Sequence, residues 1–466
     1  MGKEEKRRSA VKRKIIYKNV LKLALPAVGE MLLYMTIWIL DTLMVGRYGG
    51  RVSLSAVSLG GELLYTFISI FVTMGIAVAM TSLISRKLGE GNIKAANEYA
   101  NVGFYLGTAT TFFFFIIFNR FSGNLLSLAG AEGEVLEQGG IYLNICSWAM
   151  LFTMGRNLLN GILRGEQNTK IPLYSSAIMT VTNLTLDYLL IFGIGIFPEL
   201  GVKGAAIATV ASAVAAFVYT FNYVQKKNGI KITLDYLGLV KVKGLELIRL
   251  GLPASFQEAS SSLSRLFVIF MIMRSGDINF SANQIAVTTE SLSFMPGWGF
   301  AVASTTMAGF KYGEKKYQEL RDVVRANLEL AMMVMGTTAV IFFIFPEKLV
   351  SLFIKSDEVE VIRLASLCIR IGAFEQLQLA VTMVLDGVLK GMGDTKSPFI
   401  ISAVSGWLIR VPMACVIFLV LKLPIYYMWY AQVVQWSVQG GVIYLIYRRK
   451  MDALIKGSKV QVKGEL

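Results

Sequence analysis

The sequence predicts an all-α integral membrane protein, with twelve transmembrane helices in two pseudo-symmetric six-helix lobes. Three observations predict it. The 466-residue chain is 55% hydrophobic and 17% charged, whereas soluble chains carry about 25% charge. The stretch Asn160-Gly-Ile-Leu-Arg-Gly-Glu-Gln-Asn-Thr-Lys-Ile-Pro172 has an echo, 226 positions on, in Asp386-Gly-Val-Leu-Lys-Gly-Met-Gly-Asp-Thr-Lys-Ser-Pro398. Lys and Arg cluster in alternate loops, as the positive-inside rule requires.

The spans are read as about 23–46, 53–84, 97–118, 139–163, 171–195, 201–224, 250–273, 280–309, 326–345, 364–389, 397–420 and 424–447. Most reach the roughly 20 residues that cross a bilayer. The second and eighth are longer and are expected to tilt or kink. The duplicated stretch supplies the basic turn after the fourth span and after the tenth. Two more landmarks repeat in the same order. Leu23-Ala-Leu-Pro26 meets Leu250-Gly-Leu-Pro253 at an offset of 227, and Lys87-Leu-Gly-Glu90 meets Lys311-Tyr-Gly-Glu314 at 224. The domain reading is a basic amino terminus over 1–22, a first lobe over 23–224, a linker over 225–249, a second lobe over 250–447 and a tail over 448–466. Each half has an even number of spans, so both insert in one orientation. The repeat axis then runs along the membrane normal, with a cavity between the halves.

Of the 46 Lys and Arg, 33 fall before the first span, in the even-numbered loops or after the last span; nine fall in the opposite loops or, as Lys203, at the start of the span that follows one. Both termini are therefore expected in the cytoplasm, with Lys170 and Lys396 inside and Lys203 and Lys355 outside. The net charge of +15 is spread over every cytoplasmic loop. It needs anionic lipid rather than nucleic acid as its partner. The chain has no histidine and three cysteines, Cys146, Cys368 and Cys415, all within apolar segments. Histidine catalysis, a disulfide framework and a metal cluster are therefore not expected, and the chain is read as no enzyme and without a cofactor. No phosphate-binding loop of the Gly-x4-Gly-Lys-Ser/Thr type occurs, which argues against direct ATP drive. The basic start runs straight into a full-length span, unlike a cleavable signal.

Charges within spans are costly, about 2.5 kcal/mol or more at the centre on insertion scales, so each demands a reason. Asp41 stands deep in the first span. Asn183 and Asp187, four apart, share one face of the fifth, and Thr209 adds a hydroxyl from the sixth. Two carboxylates, an amide oxygen and a hydroxyl make a hard oxygen set. It suits a small cation such as Na⁺, or a shared proton. The duplication isolates the set. At the equivalent places the second half has Val268, Ile409 and Met413, so ion chemistry is expected in the first half.

The chain resembles the multidrug and toxic compound extrusion (MATE) transporters, in their prokaryotic form. The resemblance lies in Leu25-Pro26, Asp41-Thr-Leu-Met-Val-Gly-Arg47, Phe294-Met-Pro-Gly-Trp-Gly-Phe300 with Ala303-Ser-Thr-Thr306, and the two Gly-x-Leu-x-Gly turns, and it covers about 20–450. It implies a V-shaped pair of lobes. It also implies export of cationic or amphipathic compounds in exchange for Na⁺ or H⁺. Asp41, Asn183, Asp187 and Thr209 match the residue types of the family's amino-terminal cation site. An acidic residue that some members carry eight positions before the tenth-span glycine is Leu379 here, a departure that puts a second cation site in doubt.

Further side chains are candidates for a cargo cavity: Glu30, Tyr34, Trp38, Glu258, Phe294, Met295, Trp298 and Glu375. The aromatic and Met members offer adaptable apolar and cation–π contacts. Glu258 and Glu375 can equally pair with Arg265, Arg370 or Arg410. Pro26 and Pro253 are candidate hinges, because each removes a backbone donor. Asn160, Asp386 and Asp394 are read as helix caps. The expected function is secondary active efflux of small molecules by a monomer in the inner membrane of a prokaryote. The competing reading is a flippase for lipid-linked oligosaccharide or peptidoglycan precursors, which needs more basic cavity residues. The first half's intramembrane charges are mostly acidic; Arg156 is the exception.

Overall fold

A computed structural model describes residues 3–354 and 358–464. Lys355 lies outside them. Among the described residues every regular element is helical. Helix α1 runs Lys3–Ile68 and holds the first span and the start of the second. The break between them is Gly50, with φ 61°, a backbone setting that only glycine adopts cheaply. The second span continues through a wide π-helical segment, Ser69–Ala77, into α2, Val78–Gly89. Next come α3 (Ile93–Arg120), the short α4 (Ser122–Leu128), α5 (Gly133–Gly165), α6 (Lys170–Phe192) and α7 (Val202–Lys226).

The second half repeats this order. Helix α8 spans Val240–Arg274 and α9 spans Asp277–Gly313, with Pro296 inside it. Then follow α10 (Tyr317–Ile344), the short α11 (Pro346–Val350) and a tenth span built of α12 (Val359–Gly372) and α13 (Gln376–Gly391). The eleventh span starts as α14 (Lys396–Ser405) and passes through a π turn, α15 (Val411–Cys415) and a second π turn. Helix α16 covers Tyr426–Gly464. Among the described residues, eight helices are long and apolar enough to cross a membrane by length and composition. The helices centred on α5, α8, α9 and α16 carry more polar groups. The helices run past the spans read from the sequence. From Lys3 onward the basic amino-terminal stretch is part of α1, and the stretch after 447 as far as Gly464 is part of α16; within the linker of 225–249, α7 ends at Lys226 and α8 begins at Val240. The pair α4 and α11, absent from the sequence reading, recurs at an offset of 224.

The chain divides into two compact units, Gly29–Ser255 and Met1–Val28 with Phe256–Leu466. The boundaries differ from those drawn at the repeats. They fall two residues after Pro26 and two after Pro253, so α1 and α8 each begin in one unit and end in the other. Val20, Leu23 and Ala24 accordingly pack in the core with Leu385 and Val388.

The turn motifs prove to be packing devices. Gly161 and Gly165 lie within α5, where a Cβ would come within 3.1 Å of the Ala77 carbonyl and 2.7 Å of the Ile84 side chain. Gly387 and Gly391 do the same against the carbonyls of Ala301 and Thr305, each at 2.3 Å. Small residues four apart let membrane helices approach this closely. The turn itself follows. At Gly91, Gln167, Lys315 and Gly393 φ is positive. Each ends its helix with the same pair of bonds: Gln167 N donates to Arg164 O and Asn168 N to Leu163 O, as Gly393 N does to Lys390 O and Asp394 N to Leu389 O. This is the Schellman termination. Two of its four left-handed positions are not glycine, so sequence alone did not show them. Asp394 then caps the next helix, accepting from Ser397 N at 3.0 Å.

Candidate cation site in the amino-terminal unit

Helices α1, α5 and α6 supply the site. Asp187 is 0% exposed, and neither carboxylate oxygen has a hydrogen-bond partner among the described residues. Asn183, one turn earlier, is 2% exposed and its Oδ1 is likewise unpartnered. Asp41 Oδ1 is buried without a partner too. Asp41 and Asp187 lie close enough for their charges to interact. Buried polar atoms are ordinarily satisfied. Four orphaned acceptor oxygens on three neighbouring residues therefore call for a donor or a cation. The donor set is all oxygen, which fits Na⁺ or a proton rather than a soft metal. Thr209 is half-buried, and its hydroxyl donates to Ala205 O at 2.9 Å. Among the described residues it makes no hydrogen bond to the other three.

Two neighbours escaped the sequence reading. Tyr142 and Cys146 of α5 are buried within electrostatic reach of both Asp41 and Asp187. The Tyr142 ring fills the space beside Gly60, 3.1 Å from where a Cβ would stand. Nothing in the sequence marks a tyrosine in an apolar span as part of a polar site; only the i, i+4 spacing to Cys146 hints at it.

A second polar group joins α1 and α5. Glu30 is fully buried and accepts from Arg164 at 2.8 Å and from Asn160 at 3.4 Å. It is a paired acid, and Asn160 is its partner rather than a cap. Asp386 likewise is no cap: it accepts from Lys390 at 2.6 Å and from Gln257 at 3.0 Å. Tyr34 is half-buried and engages Arg156. Trp38 is 64% exposed, a position open to lipid or to a cavity.

The candidates of the other unit are mostly engaged. Glu258 meets Arg265 at 3.5 Å. Glu375 is fully buried and accepts from Gln432 at 2.9 Å, and Gln432 in turn accepts from Arg410 at 3.3 Å. Phe294 and Trp298 meet edge to face, with centroids 6.4 Å apart, and pack on the core. Met295 is half-buried. Pro26 and Pro253 both lie inside their helices, at the crossings between units.

The MatE family pattern matches the chain twice, over 26–189 and 253–416, an offset of 227 at both ends. A relative named "Probable multidrug resistance protein NorM", from Thermotoga maritima, is 31% identical over 413 residues, covering 86% of this chain and 85% of its own. "Probable multidrug resistance protein YoeA" of Bacillus subtilis is 28% identical, covering 87% of each. The solved structure titled "Crystal structure of MATE in complex with MaL6" superposes with a TM-score of 0.88 at 22% identity, covering 95% of this chain and 97% of that one. That likeness bears on the fold: two six-span halves, all helical. With both halves matched, over most of the chain, the chain belongs to the MatE family.

Proposed function

We propose that this protein exports cationic or amphipathic organic compounds by antiport with Na⁺ or H⁺, through alternating access, from the inner membrane of a prokaryote with both termini in the cytoplasm. The relatives' names as multidrug resistance proteins support the cargo class. The observation that carries the coupling is Asp187, fully buried beside Asp41 with both carboxylate oxygens unpartnered. A cation or proton entering between two carboxylates relieves their repulsion and draws α1 toward α6. The ion drives transport only by its differential affinity for the two conformations. The membrane potential favours inward entry of one charge by about 2.3 kcal/mol per 100 mV. One cationic cargo exchanged for one ion cancels that gain, which leaves the chemical gradient as the drive. Purified protein in liposomes, loaded with a fluorescent cation and given Na⁺ and pH gradients separately, tests the reading. Gradient-driven transport with at least one of the two ions is expected; transport indifferent to both gradients contradicts it.

A further inference from the structure

Arg156 of α5 is the one fully buried arginine among the described residues, at 0% exposure. A guanidinium stays charged in a protein, and a buried charge ordinarily keeps a counter-charge. Arg164 has Glu30 at 2.8 Å, and Arg410 reaches Glu375 through Gln432. Arg156 bonds neutral groups alone. Its Nη1 donates to Ser176 Oγ at 3.1 Å, and its Nη2 donates to the Tyr34 hydroxyl and to Asn157 Oδ1, the latter at 3.3 Å. Its Cζ stands 5.3 Å from the Tyr34 ring centroid. Its Nε, like that of Arg164 and of Arg410, has no partner among the described residues.

The edge formed by Nε and Nη2 is the side-on fork that takes both oxygens of a carboxylate. Here one tooth is unpartnered and the other rests on Tyr34 and Asn157. Both are half-buried, as is Thr73, which accepts from the Asn157 amide at 3.3 Å. The neutral lid over the fork is thus its most accessible side, while Ser176 behind is 1% exposed.

We infer that the Nε–Nη2 edge of Arg156 is an anion subsite that binds the carboxylate of zwitterionic cargo, the carboxylate displacing the Tyr34 hydroxyl and Asn157 Oδ1. The inference rests on the export reading above and narrows its cargo class. Compounds bearing both a cation and a carboxylate are recognised here, and the compensating charge arrives with them.

A matched pair of dyes tests it: rhodamine 6G, a cationic ethyl ester, and its free acid rhodamine 19, a zwitterion of nearly the same shape. Binding to the purified protein is followed by fluorescence anisotropy. Wild type is expected to bind both. Arg156→Gln should weaken the free acid by about tenfold or more and the ester by less than about twofold, because one charge-assisted fork is lost. Arg156→Lys, which keeps the charge without the fork, should fall between. Ester binding reports that each variant is folded. Equal loss of both dyes in Arg156→Gln and Arg156→Lys gives Arg156 a merely structural role and overturns the assignment. So does unchanged binding of the acid, or wild type that takes the ester alone. Wild type that binds neither dye overturns the export reading together with it.

Discussion

Glu30 and Arg164 form a buried ion pair at 2.8 Å with Asn160 beside them. The other half builds the same object with the charges moved. Gln257 stands where Glu30 does, Asp386 where Asn160 does and Lys390 where Arg164 does. There Asp386 takes Lys390 at 2.6 Å and Gln257 at 3.0 Å. Each half thus holds one acid, one amide and one base, with acid and amide exchanged between helices.

That exchange predicts a rescue. Glu30→Gln leaves Arg164 charged and unpaired, which costs about 3–5 kcal/mol for a buried pair. Adding Asn160→Asp recreates the Gln257–Asp386–Lys390 arrangement, an acid four residues before its base. The double variant should recover most of the loss in thermal stability measured in detergent. A double variant no more stable than Glu30→Gln alone contradicts the equivalence.

The crossings between units predict an asymmetry of their own. A Cβ on Gly299 would stand 2.6 Å from the Val28 backbone, whereas on Gly75 it would meet the Ser255 hydroxyl at 2.4 Å. Backbone cannot yield, but a small hydroxyl can rotate. Gly299→Ala should therefore destabilise by about 1–3 kcal/mol, the usual range for overpacking, and Gly75→Ala by clearly less. Melting temperatures of the two proteins check the order.

Asp394 predicts a pH effect outside the membrane. Burial works against its charged form, yet hydrogen bonds from Lys450 and Ser397 hold its carboxyl below the ordinary carboxylate range. A depressed folded pKa stabilises above the unfolded value, about 3.9, and that stability fades as pH falls from there through the folded value. Asp394→Ala loses the cap and the Lys450 pair, at about 1–2 kcal/mol near neutral pH. The deficit should shrink on acidification below about pH 4, as a denaturation series across pH shows.

The duplication and the span count were legible in the sequence because glycines, prolines and turn residues recur at fixed offsets. The function of those glycines was not. Gly161 and Gly387 look like turn residues next to Arg164 and Lys390, but they lie in helices that approach a neighbouring carbonyl. The Glu30–Arg164 pair was hidden because its equivalent, Gln257, is uncharged; only the pairing exposes the exchange. Asp41, Asn183 and Asp187 stood out since charge and amide in an apolar span are rare. Tyr142 did not, since a tyrosine there ordinarily packs. The crossings after Pro26 and Pro253 depend on which neighbours each half-helix meets, and hydropathy carries no record of that.

The second half lacks the oxygen set at Val268, Ile409 and Met413, and Val268 is 2% exposed in a hydrophobic core. Val268→Ile, Ile409→Leu and Met413→Leu should leave ion coupling intact. Transport stoichiometry in liposomes checks it; loss of coupling as complete as in Asp41→Asn contradicts a site confined to one unit.

The most direct test is gradient-driven export by Asp187→Asn protein in liposomes, with Asp41→Asn and Thr209→Ala alongside. Binding of the fluorescent cation by each purified variant reports that it is folded. Asp187→Asn and Asp41→Asn should still bind cargo but no longer accumulate it against its gradient under either a Na⁺ or a pH gradient, and Thr209→Ala should be milder. Full gradient-driven accumulation by Asp187→Asn protein would contradict the account.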